Sequence, residues 1–567
     1  MPIRKFIIIN VFFFALGLSH LHSQINALPV DKYLGINPTH FGLNGRSTEG
    51  PSWTDTGFLK LVEEIAPGII RYPAGTQANY WNWRTGTFIE GSGKSSDFIY
   101  SIPMLTAGLP ESTEVIYVMN LARPLPSTGI PLDASHEVLI SDSVLQYKIT
   151  DVLEALDYFK ANFKFPVALE LGNEFYFDSE HGTIYAANPT LYLEHSDKII
   201  RAVKEKYPEI KILLITTKGG TTNRDFWNAT IIQYLEDNAD FAALVDGLVQ
   251  HHYINDSYGD PTIVFDAASS ITAITEALEY TQDMVADYSI VPDDFELWFT
   301  EMGATKENAD ETWVAGLRAF LFSIEMALLG DKVENVLYHH ITEQSVINKD
   351  LMKLGSAGLS LSLLSEAAED QSEMCKLSFE GEIGMNGIYP AIQTYVFKSD
   401  STLNMMLMNI SDQDITDINL DTVLSNNLFL SGRQYYANDP WVQGVFEENG
   451  IHEQEIFSVD GLVLKPFSLS IIKTRKQSST LSLANIYNDI EWEVYPNPHS
   501  DYFCIEGKEE LTNGNYRIFD MRGQLVEVGL LRDGVNKIYY NGNEGIYLLI
   551  LNTNEQNSVY KLIKSIH

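Results

Sequence analysis

The sequence predicts a (β/α)8 barrel, followed by an all-β sandwich and a small C-terminal all-β domain. Apolar, strand-like runs alternate eight times with amphipathic helical segments over about 340 residues. From residue 374 onward, short strands follow one another between polar turns without a convincing helix. A chain of 567 residues is also too long for one hydrophobic core, so two to four domains are expected.

The predicted barrel occupies residues 24–373. Its strands are placed at 35–44, 68–74, 114–121, 168–174, 211–217, 246–253, 296–301 and 335–342. The helices that accompany them are placed at 54–65, 143–162, 191–206, 225–235, 270–286, 312–329 and 359–368. A doubly wound open sheet is the alternative, but no Gly-x-Gly-x-x-Gly or phosphate-loop pattern follows any early strand.

The remaining chain divides into a sandwich, a linker and a terminal domain. The sandwich, residues 374–474, has predicted strands at 377–379, 391–397, 403–410, 417–420, 432–437 and 462–473. Residues 24–34, ahead of the barrel, are a candidate for one more sandwich strand. A linker rich in Ser, Asn and Thr, residues 475–489, precedes the all-β domain at 490–567.

Residues 1–23 have the organisation of a secretory signal peptide. Arg4 and Lys5 precede an apolar run at 6–18 that is too short to span a bilayer, and Ser23 offers a small residue for cleavage. No later stretch is long and apolar enough for a membrane helix. We therefore expect an exported protein without a membrane span.

The charge balance argues against several classes of partner. Lys and Arg total 38 against 76 Asp and Glu, giving a formal net charge of −38. Such a charge opposes binding to nucleic acid or to an anionic membrane. It also disfavours a sulfated or uronic-acid polymer as substrate, unless the cleft is locally basic. The two cysteines, Cys375 and Cys504, fall in different predicted domains, so no disulfide framework is expected.

Two glutamates follow apolar runs at corresponding places in the predicted barrel. Glu174 ends the run Ala-Leu-Glu-Leu-Gly-Asn-Glu and precedes three aromatic residues, and Glu301 ends Glu-Leu-Trp-Phe-Thr-Glu. In a parallel barrel the C-terminal strand ends meet at one mouth, so we expect these carboxylates to lie together. A carboxyl group shielded by aromatic side chains can keep a proton near neutrality. Such a pair is what cleavage of a glycosidic bond requires.

These two signatures resemble glycoside hydrolase clan A, a group of retaining (β/α)8 glycosidases. The motifs are Gly-Asn-Glu at 172–174 on the fourth strand and Thr-Glu at 300–301 on the seventh. Within the clan, the chain is most similar to α-L-arabinofuranosidases and less close to glucuronidase and heparanase-like families. That similarity is carried by Ile-Arg-Tyr-Pro-Ala-Gly at 70–75, Tyr80, Trp83, His-His-Tyr at 251–253 and the following sandwich. The resemblance covers residues 24–474.

Three places depart from the family pattern. Ala74 stands where many relatives have glycine, and Met302 stands where arabinofuranosidases usually have tryptophan. The eighth strand offers His339 and His340 in place of a common tryptophan. Because these positions line the sugar pocket, they concern the identity of the substrate rather than the reaction.

The C-terminal domain resembles the sorting domain of type IX secretion cargo. The resemblance is carried by Val-Tyr-Pro-Asn-Pro at 494–498, Tyr-Arg-Ile-Phe-Asp at 516–520 and Gly-Ile-Tyr-Leu at 545–548. It implies the type IX secretion machinery as a partner. It also implies export through the outer membrane, with the protein either secreted or attached to the cell surface.

Chemical roles can be assigned to several residues around the two acids. Glu301 is the candidate nucleophile and must be ionised, which a nearby Arg71 and the Tyr253 hydroxyl would favour. A simple salt bridge at the barrel mouth is the alternative role for Arg71. Asn173 would hydrogen-bond the sugar 2-hydroxyl, and capping of the next helix is its alternative. Glu174 is the candidate general acid and base.

Further candidate substrate ligands come from the other strand ends. Only one of the adjacent His251 and His252 can face the barrel mouth. Core packing is the alternative role for a tryptophan here, and loop capping is that for an asparagine. The histidine pairs also suggest a metal, but strand-alternating histidines cannot bind one ion together, so no metal is expected. The candidates are His252, His340, Trp81, Trp83 and Asn120.

The sequence thus predicts a secreted retaining glycoside hydrolase that acts on polysaccharides or oligosaccharides and needs no cofactor. Its activity is expected to be arabinofuranosidase-like. A β-glucuronidase, a β-xylosidase or an algal-galactan hydrolase of the same clan is the alternative among enzymes. From another class, a non-catalytic surface glycan-binding protein remains an alternative, although it would have no use for two desolvated acids.

Overall fold

A computed structural model describes most of the chain. The described residues are 25–28, 32–45, 50–96, 98–125, 128–132, 135–177, 184–185, 188–255, 265–305, 311–342, 346–380, 385–386, 388–442, 450–476, 492–497, 502–507, 514–520, 525–532, 534–540, 545–552 and 557–564. The predicted signal peptide, residues 1–23, and most of the predicted linker, residues 477–489, lie outside them. By its internal contacts the chain forms two units, residues 1–476 and residues 477–567.

The first unit contains a closed barrel of eight parallel strands, which confirms the predicted fold class. In chain order these barrel strands are Phe41–Asn44, Ile69–Tyr72, Glu114–Val118, Ala168–Glu170, Lys211–Ile215, Gly247–Asn255, Glu296–Thr305 and Val333–Tyr338. Each strand pairs with its neighbour in sequence, and the eighth pairs with the first. Their C-terminal ends therefore meet at one mouth, as in every barrel of this type.

Helices surround the barrel in the alternating order that the apolar periodicity predicted. They are Thr56–Ile65, Ile102–Gly108, His136–Leu139, Asp142–Ala161, Pro189–Lys206, Thr222–Asp237, Ala239–Ala242, Ala267–Asp283, Val285–Ile290, Trp313–Ala327 and Ser356–Ala368, with a 3-10 turn at Thr76–Tyr80. Side-chain caps define several starts. Asp55 accepts hydrogen bonds from the backbone of Gly57 and Phe58, an arrangement worth about 1 kcal/mol.

Several predicted strand ends differ from the structure, and three of them concern the site or the packing of the sandwich. The first barrel strand begins at Phe41, because Gly35 pairs with Glu373 of the sandwich. The fourth ends at Glu170, which leaves Glu174 on the loop beyond it. The seventh continues through Glu301 to Thr305, because the long sixth strand pairs with it over that whole length.

A β-sandwich packs against one side of the barrel within the same unit. Its larger sheet has seven strands in the spatial order Leu34–Gly35, Glu373–Leu377, Ile392–Lys398, Thr402–Asn409, Ser468–Lys476, Asn427–Ala437 and Ile451–Glu455. Its smaller sheet has the order Phe379–Glu380, Ile25–Ala27 and Ile418–Asn419. Residues from the 24–34 region thus add a strand to each sheet. The one described helix here is the short Asp421–Leu424.

The larger sheet has two buried faces, as the residues of one central strand illustrate. Tyr395 and Phe397 point toward the barrel, where their rings contact Phe320 and Phe41. Val396, on the opposite face, joins the hydrophobic cluster shared with the smaller sheet. Helix Trp313–Ala327 lies between barrel and sheet and is buried nearly all round, which explains its apolar sequence.

The second unit is a small all-β domain with its own hydrophobic core. One sheet contains Trp492–Tyr495, Tyr502–Gly507 and Val535–Tyr539, and the other contains Leu525–Leu531, Gly514–Asp520, Gly545–Asn552 and Asn557–Lys564. Buried side chains of both sheets, including Phe503 and Leu549, form one cluster. Cys504 lies here and Cys375 lies in the sandwich, and both are free and buried.

No helix among the described residues has both the length and the apolar composition needed to cross a membrane.

Candidate active site

The barrel interior changes from apolar to polar one layer below its mouth. A separate hydrophobic cluster takes one residue from each of seven barrel strands: Ile69, Ile116, Ala168, Leu213, Val249, Trp298 and Leu337. Since strand side chains alternate, the residue two positions further along faces the same interior. Five of these seven positions hold Arg71, Glu170, His251, Thr300 and His339, and the other two hold Val118 and Ile215. Strand periodicity therefore places charged and polar groups directly above an apolar floor.

An irregularity in the seventh strand brings one more acid into this layer. Val249 pairs with Trp298, but His251 pairs with Glu301, so the register between the sixth and seventh strands shifts by one residue. A shift of this kind re-aims side chains, and such bulges are common beside active sites. Thr300 and Glu301, although adjacent, therefore both reach the interior. Thr300 Oγ1 lies 3.2 Å from His251 Nε2.

Glu301 lies in a pocket of donors that stabilise its ionised form. Its Oε2 accepts hydrogen bonds from Arg71 Nη1 at 2.9 Å and from Asn44 Nδ2 at 3.1 Å. Its Oε1 accepts from the Tyr253 hydroxyl and lies 3.7 Å from His339 Nε2. Burial opposes ionisation of Glu301, whose side chain is shielded from water. The positive charges of His339, His251 and Arg71 and the Tyr253 hydrogen bond overcome this and hold its pKa well below the usual range.

Glu174 approaches the same space from the loop after the fourth strand. Gly172 there has φ +92°, and a Cβ at this position would lie 2.3 Å from the Phe175 ring, so only glycine fits. Glu174 itself has φ +54°. Its Oε1 accepts a hydrogen bond from the Tyr176 hydroxyl at 3.0 Å and lies 3.0 Å from His251 Nδ1. The strained turn thus directs this carboxyl group into the barrel mouth.

Arg71 connects the residues beneath the two candidate acids. It is fully buried and donates two hydrogen bonds to Glu170, at 2.8 and 2.5 Å. A third goes to Glu301, and a fourth goes to Asn173 Oδ1 at 2.7 Å. Glu170 is therefore a buried, paired carboxylate. The salt-bridge role and the orienting role that the sequence left open for Arg71 coincide in one set of contacts.

The two candidate acids lie close enough to act on one bond. One oxygen of Glu174 and one of Glu301 are within 4.8 Å of each other, and His251 offers a nitrogen within the same distance. By distance alone, these three groups are close enough to act as ligands of one divalent cation. However, Arg71 already places a permanent positive charge 2.9 Å from Glu301 Oε2 and would repel it. We therefore interpret the cluster as an acid–base site.

Two histidine predictions need correction. His252 faces away from the mouth, because Val249, His251 and Tyr253 share the inward face. Its ring contacts Phe299 and lies 3.2 Å from the Tyr280 hydroxyl, and burial lowers its pKa.

His340 is buried beneath the mouth, with its ring against that of His339 at 4.4 Å. The histidines that reach the acids are therefore His251 and His339. Because side chains alternate along a strand, His251 lies on the same face as Tyr253, and the sequence alone could have identified it on that basis.

Three further predicted ligands have structural roles in the surrounding loops. Trp81 is 2% exposed, with its ring packed against Phe88 and its Nε1 donating to the Tyr72 hydroxyl. Trp83 donates to Asp151 and is covered by the Arg84 guanidinium, so neither ring is available as a sugar platform.

The Asn120 amide donates to the backbone oxygen of Trp81, and its Oδ1 accepts from the backbone of Arg123. Asn120 therefore caps a loop, which was the alternative role for it.

The site also contains residues that sequence reasoning did not select. Tyr176 holds Glu174, and its place two residues after that acid was the one available signal. Asn44 ends the first barrel strand and donates directly to Glu301. Gly75 approaches so closely that a Cβ there would lie 2.5 Å from Glu301 Oε2. Only the folded barrel brings these distant positions together.

The fold has counterparts among solved glycoside hydrolases. A family 51 α-L-arabinofuranosidase from Bifidobacterium longum shares 14% identity over 80% of this chain and 98% of its own, with a TM-score of 0.57. A 4-O-α-L-rhamnosyl-β-D-glucuronidase from Fusarium oxysporum shares 12% over 80% and 100%, with a TM-score of 0.51. A family 86 glycoside hydrolase in complex with neoagarooctaose shares 11% over 96% and 97%, with a TM-score of 0.50. No curated protein sequence matches the chain significantly.

The C-terminal unit matches a known family by sequence. Residues 493–565 correspond to the family described as "Secretion system C-terminal sorting domain". The barrel and sandwich thus resemble solved glycoside hydrolases in fold, and the C-terminal unit carries a secretion sorting domain, as the sequence predicted. Identities of 11–14% establish this likeness as one of fold.

Proposed function

We propose that this protein is an exported, retaining glycoside hydrolase with arabinofuranosidase-like specificity. The observation that carries the proposal is the approach of Glu174 and Glu301, whose nearest oxygens are within 4.8 Å. Retaining enzymes have carboxyl groups about 5–5.5 Å apart, whereas inverting enzymes need about 6.5–9.5 Å to admit a water molecule. The spacing supports a double-displacement mechanism.

In the first step, Glu301 is the nucleophile. One of its oxygens forms a bond to the anomeric carbon while the glycosidic C–O bond breaks. The departing oxygen keeps the electron pair and takes a proton from Glu174. The ionised state of Glu301 supports this assignment, since its depressed pKa leaves the carboxylate free of a proton at neutral pH. The hydrogen bonds from Arg71, Asn44 and Tyr253 hold the carboxylate in one orientation.

In the second step, Glu174 is the base. Its carboxylate takes a proton from water, the water oxygen attacks the anomeric carbon, and the ester bond to Glu301 breaks. Glu174 then carries a proton again and the sugar leaves with retained configuration. His251, 3.0 Å from Glu174 and 4.0 Å from Glu301, contacts both acids and positions them for this exchange. Asn173 is the candidate ligand of the sugar 2-hydroxyl.

The fold alone does not choose the sugar. The three solved structures are an α-L-arabinofuranosidase, a 4-O-α-L-rhamnosyl-β-D-glucuronidase and an enzyme in complex with neoagarooctaose. The motif at residues 70–75 favours the first of these, which is why arabinofuranosidase-like activity is proposed. A signal peptide at residues 1–23 would start the export that the sorting domain completes.

Chemical rescue of two alanine variants tests the roles. Glu174→Ala should retain its first step on aryl glycosides with very acidic phenols, and azide should restore turnover with a retained glycosyl azide. Glu301→Ala should be inactive on all substrates, and azide can give it only an inverted product. Each variant should lose about 10³-fold or more in kcat, corresponding to about 4 kcal/mol of transition-state stabilisation.

Glu296→Gln is the matched control. Glu296 lies at the opposite end of the seventh strand, bonded to Lys211 and Trp298, so its replacement should leave kcat nearly unchanged. A retained azide product from Glu301→Ala, with an inverted one from Glu174→Ala, would show that the assignments are exchanged. Losses below tenfold in both variants would place the catalytic pair elsewhere.

A further inference from the structure

A second cleft lies beside the barrel mouth. It is formed by residues 120–125 and Thr128, which follow the third barrel strand, and by residues 144–154 of helix Asp142–Ala161. Its volume is about 310 Å³. That is near the lower end of the ~300–1,000 Å³ typical of small-ligand sites. The side chains that line it include Arg84, Arg123, Lys148, Asp151 and Glu154.

The positive charges in this cleft differ in how they are balanced. The Arg84 guanidinium forms ion pairs with both Asp151 and Glu154, so its charge is compensated. Within the described part of the chain, no carboxylate lies within ion-pair distance of Arg123 or Lys148. The cleft thus holds three basic side chains against two carboxylates, and both carboxylates pair with Arg84 rather than with Arg123 or Lys148.

The geometry of the two uncompensated groups suits an anionic ligand. The Arg123 guanidinium stacks on the Tyr80 ring at 4.5 Å, and its buried Nε has no hydrogen-bond partner among the described residues. The Lys148 ammonium donates to the Leu121 carbonyl. Burial, with the nearby Arg123 charge, lowers the pKa of Lys148 to about 7 despite the opposing influence of Asp151. The buried Lys148 ammonium is only partly offset by Asp151, and a bound anion would lower the cost of burying its charge.

The cleft is connected to the candidate catalytic residues through a short chain of contacts. Tyr80, beneath Arg123, ends the turn Thr76–Tyr80. Asn79 of the same turn donates to the backbone oxygen of Asn173 at 2.9 Å, and Asn173 directly precedes Glu174. This turn therefore links Arg123, which lies over Tyr80, to the loop that carries Glu174.

We propose that Arg123 and Lys148 form a subsite for an acidic substituent of the substrate, either a uronic-acid carboxylate or a sulfate ester. The inference rests on the proposed glycosidase function and specifies its substrate class. Arginine and lysine bind either anion through charge-assisted hydrogen bonds. The negative net charge of the chain disfavours an acidic substrate, and the basic side chains of this cleft would offset that repulsion locally.

Paired substrates test the subsite with the full-length protein. A sulfated algal galactan is compared with its desulfated form, and a glucuronoxylan is compared with its carboxyl-reduced form. For one of these two pairs of polymers, the wild-type protein should have a kcat/KM at least about tenfold higher on the acidic polymer than on its neutral form. Arg123→Gln should bring that ratio close to one, and Lys148→Met should lower it. Both variants should keep wild-type rates on an aryl monosaccharide, which does not reach the cleft.

Lys160→Met is the matched control, since it removes one charge from the last turn of the same helix and should preserve the ratio. The pair that responds identifies the substituent as sulfate or carboxylate. Equal rates on acidic and neutral members would overturn the subsite while leaving the glycosidase proposal intact.

Affinity electrophoresis in gels containing each polymer separates the remaining cases, because it does not depend on turnover. Retardation by the acidic polymer that Arg123→Gln abolishes, without hydrolysis of any glycoside, would support the subsite and refute the glycosidase. Neither retardation nor hydrolysis with either pair would refute both. Circular dichroism and melting curves verify that each variant is folded.

Discussion

Replacing Arg71 with methionine should destabilise the barrel and remove most activity. The buried guanidinium donates four hydrogen bonds, two of them to the fully buried Glu170. Its loss leaves that carboxylate without its cation, and breaking a buried pair in this way costs about 3–5 kcal/mol. The entropy of unfolding is about 2.1 cal/mol/K per residue, so the free energy of unfolding of a unit of this size changes by about 1 kcal/mol per degree near its melting temperature. The melting temperature should therefore fall by about 3–5 °C.

A second replacement separates stability from catalysis. In Arg71→Met/Glu170→Met both partners are apolar, so no unpaired charge remains and most of the lost stability should return. Activity should not return, because Glu301 still lacks the positive charge and the hydrogen bond of Arg71. The measurements are calorimetric melting and kcat/KM on an aryl glycoside for the wild type, Arg71→Met and the double variant.

The reasoning depends on Glu170 acting only through Arg71. If the double variant melts as low as Arg71→Met, the buried pair is not the source of the destabilisation. If it recovers both stability and activity, Arg71 has no direct role at Glu301. Either result would refute the roles assigned to these buried charges.

Three further predictions follow from the site and the domain arrangement. Tyr253→Phe removes a hydrogen bond to ionised Glu301 and so raises its lowered pKa. The acid limb of kcat/KM should move to higher pH by about one to two units. Gly75→Ala should displace the Glu301 carboxylate and cost about 10²-fold in kcat, while melting changes little. Deleting residues 490–567 should leave activity and barrel melting nearly unchanged, but the truncated protein should accumulate in the periplasm of the native host.

The sequence was sufficient for the barrel because each strand carries its own apolar run. It was insufficient where a strand end depends on a distant partner. Gly35 belongs to a strand that pairs with Glu373, and no pattern near residue 35 encodes that pairing. The register shift beside Glu301 is likewise set by the sixth strand. Strict alternation along the seventh strand would have turned this acid away from the mouth, since Trp298 and Thr300 face inward.

The acids themselves could be found from sequence, but most of their surroundings could not. Glu174 and Glu301 follow apolar runs, and the structure brings them together at the mouth. For His252 the error was one of parity, because Tyr253 and His251 share a face. For Trp81 and Trp83, composition alone cannot distinguish a sugar platform from core packing. Their contacts with Tyr72 and Asp151 depend on how the loop folds back onto the barrel.

The hydrogen bonds of Arg71 place the two candidate acids in different electrostatic surroundings. Its hydrogen bonds go to Glu170, Asn173 and Glu301, and Glu174 is held instead by the Tyr176 hydroxyl and His251. A permanent charge beside one carboxylate favours its ionised form. In the described part of the chain, no arginine or lysine donates a hydrogen bond to Glu174, and this difference supports the proposed roles of Glu301 as nucleophile and Glu174 as general acid. Glu170 accepts hydrogen bonds from Nε and Nη2 of Arg71, which orients the guanidinium so that Nη1 points at Glu301.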